Sequence, residues 1–385
     1  MKRISITTLL LLFIIVSAGA QENLPSGQQR EIVSPEIHAD NSVTFRLSAP
    51  HAKEVFVNGD FNGGNQAVMT KDSDGIWSYT TTPLESELYT YSFLADGLQT
   101  NDPNNVFYQR DVASTLNLFI VGNGKADLYQ VNDVPHGTVS KRWYHSAVIN
   151  KERRITIYTP PGYEDSSEQY PVLYLLHGMG GDEEAWMTLG RTSQILDNLI
   201  AAGKAKPMIV VMPNGNMAQQ AAPGESVLGF QKPQFRLPHT MDGLYEESFA
   251  EIIEFTERHY RTIPEKSGRA IAGLSMGGFH SMHISHFYPE TFDYIGLFSA
   301  AIMPAQDAKS KVYEDIGLQL QKQMENGYRL YWIAIGKEDF LYKANVEYRE
   351  MLDNMGMEYQ YRESEGGHTW RNWRIYLSEF VPMLF

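Results

Sequence analysis

The chain has 385 residues, 43% hydrophobic and 20% charged, which is enough apolar material for two folded domains and excludes an intrinsically disordered polypeptide. A formal charge of −14 argues against nucleic acid, anionic membrane surfaces and strongly anionic substrates as partners. Cysteine is absent, which excludes disulfides, thiolate metal sites, a cysteine nucleophile and a lipid-modified N-terminal cysteine.

Lys2 and Arg3 precede an apolar run at 9–16, and Ala18-Gly19-Ala20 forms an A-x-A site before Gln21. This is the pattern of a secretory signal peptide over residues 1–20, with an apolar run too short to span a bilayer. The expectation is an exported protein, periplasmic or secreted. Export without disulfides suits a bacterial source.

Residues 21–125 show short alternating runs separated by turn residues. Runs at 42–47, 54–57, 76–80, 89–93 and 116–120 are broken by Asn58-Gly59, Asp74-Gly75, Asp96-Gly97 and Asp102-Pro103. Strands at this spacing predict an immunoglobulin-like β-sandwich. The segments Val57-Asn58-Gly59-Asp60-Phe61-Asn62-Gly63, Asp74-Gly75-Ile76-Trp77 and Tyr89-Thr90-Tyr91 resemble the early-set sandwich related to glycogen-binding modules. Sugar-binding members of that group commonly carry a tryptophan just after the F-N-G segment, where this chain has Gly64 and Asn65. The expected role is therefore packing or substrate framing, with Trp77, Tyr79, Tyr89 and Tyr91 in the sandwich core. The polar segment 126–135 reads as a linker.

From 136 to 385, strands alternate with helices. Val148 and 155–158 predict an antiparallel pair, and 171–176 and 208–212 are nearly continuous apolar runs, as in strands buried on both faces. Apolar residues at 249, 252, 253 and 260 have helical spacing; strands follow at 270–272, 294–298, 330–335 and 357–361. The succession predicts a doubly wound, mostly parallel α/β sheet, in which active sites lie beyond the carboxyl ends of the strands.

Gly273-Leu274-Ser275-Met276-Gly277 follows one such strand and has the G-x-S-x-G form of a nucleophile elbow, a sharp strand-to-helix turn that presents a serine. In the α/β-hydrolase order the acid and then the histidine come later in the chain. His368, in Glu365-Gly366-Gly367-His368, is the only histidine after residue 286. Asp339 follows the strand ending at 335 and is the expected acid, with Glu338 as the alternative. His177-Gly178-Met179-Gly180-Gly181 also follows a strand. Its Met179 N–H, or that of Gly178, is the expected partner of the Met276 N–H in an oxyanion hole. His177 precedes the nucleophile and reads as structural. His280, His283 and His286 have no converging third-element ligand in the sequence and read as packing or solvent-facing; neither metal nor cofactor is expected.

Thr159-Pro160-Pro161-Gly162-Tyr163, His177-Gly178-Met179-Gly180-Gly181, Gly273-Leu274-Ser275-Met276-Gly277-Gly278, Gly336-Lys337-Glu338-Asp339 and His368-Thr369-Trp370 together resemble the esterase D-like group. More narrowly they resemble carbohydrate esterase family 1, which includes feruloyl and acetylxylan esterases, and a preceding sandwich is typical of its bacterial members. The resemblance implies Ser275 as nucleophile, His368 as base, Asp339 as acid, Met179 and Met276 as oxyanion donors, and feruloylated or acetylated xylan as substrate. The long segment 214–244 is expected beside the site. There Met217, Phe230 and Phe235 either contact an aromatic acyl group or pack within the loop, and Trp186 and Trp370 either line the site or buttress it. The expected activity is release of ferulate from arabinoxylan, with acetylxylan deacetylation as the alternative. A siderophore esterase and a non-catalytic carbohydrate-binding protein are the more distant readings.

Overall fold

The computed structural model describes residues 32–302 and 310–385. The leader expected at 1–20 lies outside the described residues.

Ten short strands build the N-terminal unit: β1 (Glu36–Ile37), β2 (Val43–Ser48), β3 (Val55–Gly59), β4 (Gln66–Val68), β5 (Thr70–Lys71), β6 (Ile76–Thr80), β7 (Glu87–Ala95), β8 (Leu98–Thr100), β9 (Tyr108–Asp111) and β10 (Ser114–Val121). They form two antiparallel sheets, β1-β2-β6-β5 and β4-β3-β7-β10-β9, with β8 added to β7. Alternation places Val43, Phe45 and Leu47 of β2 and Val55 and Val57 of β3 between the sheets. They pack with Tyr91, Phe93 and Phe119 in an immunoglobulin-like sandwich core. Trp77, Tyr89 and Tyr91 are buried and Tyr79 packs against the same core, so these aromatics hold the sheets together. The Trp77 indole N–H donates to the Ala49 carbonyl at 2.9 Å.

An eight-stranded sheet forms the second unit: β11 (Thr138–Ser146), β12 (Lys151–Thr159), β13 (Val172–Leu176), β14 (Ile209–Pro213), β15 (Arg269–Leu274), β16 (Tyr294–Phe298), β17 (Leu330–Gly336) and β18 (Gln360–Ser364). Its order is β11-β12-β14-β13-β15-β16-β17-β18, antiparallel from β11 to β14 and parallel thereafter. Helices α1 (Ala185–Thr188), α2 (Thr192–Ala201), α3 (Leu244–His259), α4 (Met276–Phe287), α5 (Ile316–Asn326), α6 (Tyr342–Met355) and α7 (Trp370–Phe380) complete an α/β-hydrolase fold. Two hydrophobic clusters cover the two sheet faces, one with Tyr174, Phe249 and Phe279, the other with Trp186, Phe298 and Phe380. Two strands differ from expectation. The antiparallel partner of β12 is β11, whereas Val148 lies in the turn between them, 49% exposed. The last strand is shifted toward the C-terminus, and Met357, at the start of the expected run, is buried ahead of it.

Helix α4 carries three histidines on buried faces, none of them solvent-facing. His280 Nδ1 pairs with the Glu246 carboxylate at 2.7 Å and His286 Nδ1 with Gln319 Oε1 at 2.6 Å. His283 lies against Phe279 and Tyr313, and neither of its ring nitrogens has a partner among the described residues.

The segment 126–135 is pinned rather than loose. Ala126 and Tyr129 are buried in the core cluster that includes Leu88, Leu196 and Leu199. Asn198 of α2 donates to the Leu128 and Gln130 carbonyls. The junction also contains a charged cluster. Glu87, 1% exposed at the start of β7, pairs with Arg374 at 3.0 Å, Arg371 at 3.3 Å and Lys125 at 3.2 Å. Arg374 is itself buried and donates further to the Leu189 and Leu88 carbonyls. Charges out of water are tolerated only when paired, here through the two Arg374 Nη groups although its Nε has no partner among the described residues, and removing one partner leaves the other uncompensated. Glu87→Ala is therefore expected to destabilise the protein by about 3–5 kcal/mol, read as a lower urea midpoint. An unchanged midpoint would show that the junction contributes nothing to stability.

Candidate active site

Ser275 sits between β15 and α4 with φ 53° and ψ −115°, a conformation a non-glycine residue keeps only when its surroundings impose it. The surroundings are close backbone contacts. A β-carbon on Gly273 would overlap the Gly277 backbone, and one on Gly277 would overlap the Leu176 carbonyl. The turn is held by Ser275 N–H to the Phe298 carbonyl and Ala301 N–H to the Ser275 carbonyl, both 2.9 Å.

The loop after β13 lies directly against this turn. His177 is fully enclosed, and its Nδ1 donates to the Gly178 carbonyl while Nε2 accepts from Gly215 N–H, both 2.8 Å. Burial pushes its pKa down to about 4, so at neutral pH it is an uncharged brace, with the tautomer set by its two partners. Asn216 adds a side-chain bond to the Gly181 carbonyl at 2.7 Å. The backbone N–H groups of Met179, in this loop, and of Met276, at the first position of α4, have no partner among the described residues. Helix-initial N–H groups lack intrahelical acceptors and carry the positive end of the helix dipole.

Asp339 follows β17, and its buried carboxylate engages His368 Nδ1 at 2.9 and 3.1 Å. It also accepts the Leu341 N–H at 2.9 Å. Glu338 makes no such bond to the imidazole; its own N–H donates to the Gly366 carbonyl. The His368 ring is held between Phe340 and Trp373, at centroid distances of 4.6 and 4.9 Å. Ser275 and His368 line one cavity of about 910 Å³, with Gly178, Met179, Phe235, Phe340 and Trp370. A serine on a strained turn, an imidazole oriented by a carboxylate and two free N–H donors form a set suited to acyl transfer through a tetrahedral intermediate.

Of the other residues considered from sequence, Phe235 and Trp370 reach the cavity and three do not. Trp186 is 1% exposed, donates its indole N–H to the Leu176 carbonyl at 2.8 Å and packs edge-on against Trp370. It supports the site from behind. Met217 is buried in the hydrophobic core with its sulfur 3.1 Å from Arg153 Nη1, because the start of the 214–244 segment turns inward beneath the loop after β13. Phe230 projects into solvent, 97% exposed. The sequence led to an expectation of packing or substrate framing by the sandwich but named none of the sandwich residues that line the cavity. Asp60, Thr90, Gln109, Asp111 and Val112 line the same cavity. Val112 lies against Gly180, and Arg110 pairs with Asp182, so the sandwich grips the loop that carries Met179. Phe340 was also missed; its place next to Asp339 was the available signal.

The family model described as "Putative esterase" matches residues 146–384, and that for carbohydrate-binding module 48 (isoamylase N-terminal domain) matches residues 33–107. The chain belongs to the putative esterase family. An endo-1,4-beta-xylanase/feruloyl esterase of Xylanibacter ruminicola is 30% identical over 361 residues, 91% of this chain and 46% of that protein. Esterase Rv1288 of Mycobacterium tuberculosis is 27% identical over 68% of this chain and 62% of its own. The chain thus spans less than two thirds of the length of either relative. Among solved structures, a CE1 ferulic acid esterase of Anaeromyces mucronatus in complex with ferulic acid is 26% identical, with a TM-score of 0.56 over 68% of this chain and 96% of that one. The enterobactin esterase of Shigella flexneri shares the fold alone, at 17% identity and TM-score 0.61, over 89% of this chain.

Burial lowers the pKa of His177 and His286 to about 4 and that of His283 well below the ordinary 6.5. In the unfolded chain these imidazoles protonate near pH 6.5. Stability from their neutral burial is thus fully present above about pH 6.5 and lost as pH falls toward 4, since only the unfolded state gains protons there. The expected loss is about 1.4 kcal/mol per pH unit for each histidine. His283→Phe should reduce the slope of urea midpoint against pH by one proton's worth; an unchanged slope would remove His283 from this account.

Proposed function

We propose that the chain is an exported serine carboxylic ester hydrolase that releases ferulate from arabinoxylan through an acyl-enzyme. The observation that carries the reading is a cavity lined by Ser275, His368 and Met179, with Asp339 bonded to His368 and the unengaged Met276 N–H directly after Ser275. In this reading His368 Nε2 takes the Ser275 hydroxyl proton as Oγ attacks the ester carbonyl, while Asp339 holds the ring and stabilises the imidazolium. Met179 and Met276 donate to the oxyanion. Collapse expels the sugar alcohol, which receives the proton from His368, and water activated by the same imidazole then releases the acid.

The acyl preference is supported by a cavity large enough for an aromatic acid and rimmed by Phe235, Phe340 and Trp370. It is further supported by the feruloyl esterase and ferulic acid esterase among the similar proteins. Export is supported by the leader pattern at residues 1–20.

Ser275→Ala is expected to lower kcat on methyl ferulate by about 10⁴-fold or more. Asp339→Asn should lower it by roughly 10³–10⁴-fold, while Glu338→Gln stays within a few-fold of the parent. Equal losses at 338 and 339 would reject the assigned acid. No turnover of methyl ferulate by a parent enzyme that deacetylates xylan would replace the feruloyl reading with the acetylxylan one.

A further inference from the structure

The cavity has two chemically different walls. The hydrolase side presents Ala301, Phe340, Leu341 and Trp370 around Ser275 and His368, and the sandwich side presents Asp60, Gln109 and Asp111. These sandwich groups arise from two places within the sandwich, the turn after β3 and the edge strand β9, where Gln109 and Asp111 are two residues apart.

The polar wall is built from acceptors with little to accept. Gln109 is 7% exposed, yet its Oε1 has no partner and no hydrogen bond engages its Nε2 among the described residues. An orphaned buried amide normally costs free energy, so a position that keeps one calls for an explanation. The Asp111 carboxylate also makes no hydrogen bond among the described residues, and burial raises its pKa. Asp60 is pre-oriented by Thr90, whose N–H and Oγ1 donate to its two oxygens at 2.8 and 3.1 Å. Three of the cations that line the cavity are already engaged: Arg110 with Asp182 and the Val112 carbonyl, Arg371 with Glu85 and Glu87, and Arg374 with Glu87. Arg236 of the 214–244 segment also lines the cavity, exposed and without a partner among the described residues, but a row of acceptors disfavours an anion placed against it. That row suits a neutral ligand rich in hydroxyl donors, with the Gln109 amide able to both donate and accept.

We propose that Asp60, Gln109 and Asp111 form a subsite for the glycosyl alcohol of the ester, so that the sandwich recognises the leaving group of the reaction carried out by the hydrolase domain. The proposal rests on the serine esterase reading above and extends it to the other half of the substrate. Val112 against Gly180 keeps this wall beside the oxyanion loop, within the cavity that holds Ser275. The sandwich therefore acts as part of the active site, without a separate sugar platform.

The test compares KM and kcat on a feruloylated arabinoxylo-oligosaccharide and on methyl ferulate, for the parent, Gln109→Leu and Asp111→Ala. Each variant should raise KM for the oligosaccharide ester by about tenfold or more. Its kinetics on methyl ferulate, which offers no sugar to hold, should stay within twofold. Equal changes on both substrates, or none on either, would overturn the subsite. Parent inactivity on methyl ferulate rejects only the acyl assignment. The same ratio is then read with acetylated xylo-oligosaccharide against p-nitrophenyl acetate, where it decides the subsite by the same criteria.

Discussion

At the turn after β15, Ser275 holds φ 53° and ψ −115° while Gly277 passes the end of β13 with no room for a β-carbon, and the other parts of the site are placed relative to that contact. The approach brings the first N–H of α4 next to the loop bearing Met179. The strain is sustained by buried neighbours on every side: Phe298 and Ala301 bond the serine backbone, and Trp186 bonds the Leu176 carbonyl. His177 and Asn216 then fix the facing loop from below. The elbow is thus a product of tight packing as much as of its local sequence.

The second organising feature is the grip of the sandwich on the hydrolase unit at two points. Arg110 and Val112 hold the loop after β13, and Glu87 holds Arg371 and Arg374 of α7, which begins two residues after His368. Both regions that must stay in register with Ser275 are therefore in contact with the N-terminal unit. A buried carboxylate with three cationic partners is geometrically demanding, which suits a junction that must be rigid. The packing of residues 126–135 against α2 closes the same junction from a third direction.

Much of the sandwich and of the parallel sheet was legible because burial imposes a period. Strands buried on both faces appear as continuous apolar runs, as in β13, β14 and β17, where every residue is buried. The half-exposed β11 and β18 lack that signature, and their positions were misread for this reason. Substrate contacts were hardest to read. Met217, Phe230 and Phe235 share one apolar-rich segment, yet one is core, one faces solvent and one lines the cavity. Side-chain type does not say which way an aperiodic loop will turn.

The sequence by itself determined the chemistry available: a serine between glycines, a later acid and a later histidine, each placed after a strand, because chain order and strand ends are local properties. It also determined that two units of different texture follow one another. Only the tertiary structure decided that Asp339 rather than Glu338 meets His368, since neighbouring side chains on a turn diverge. Only it decided that the sandwich closes over the cavity, because Glu87 and Arg374 are 287 positions apart and nothing in either stretch announces the other.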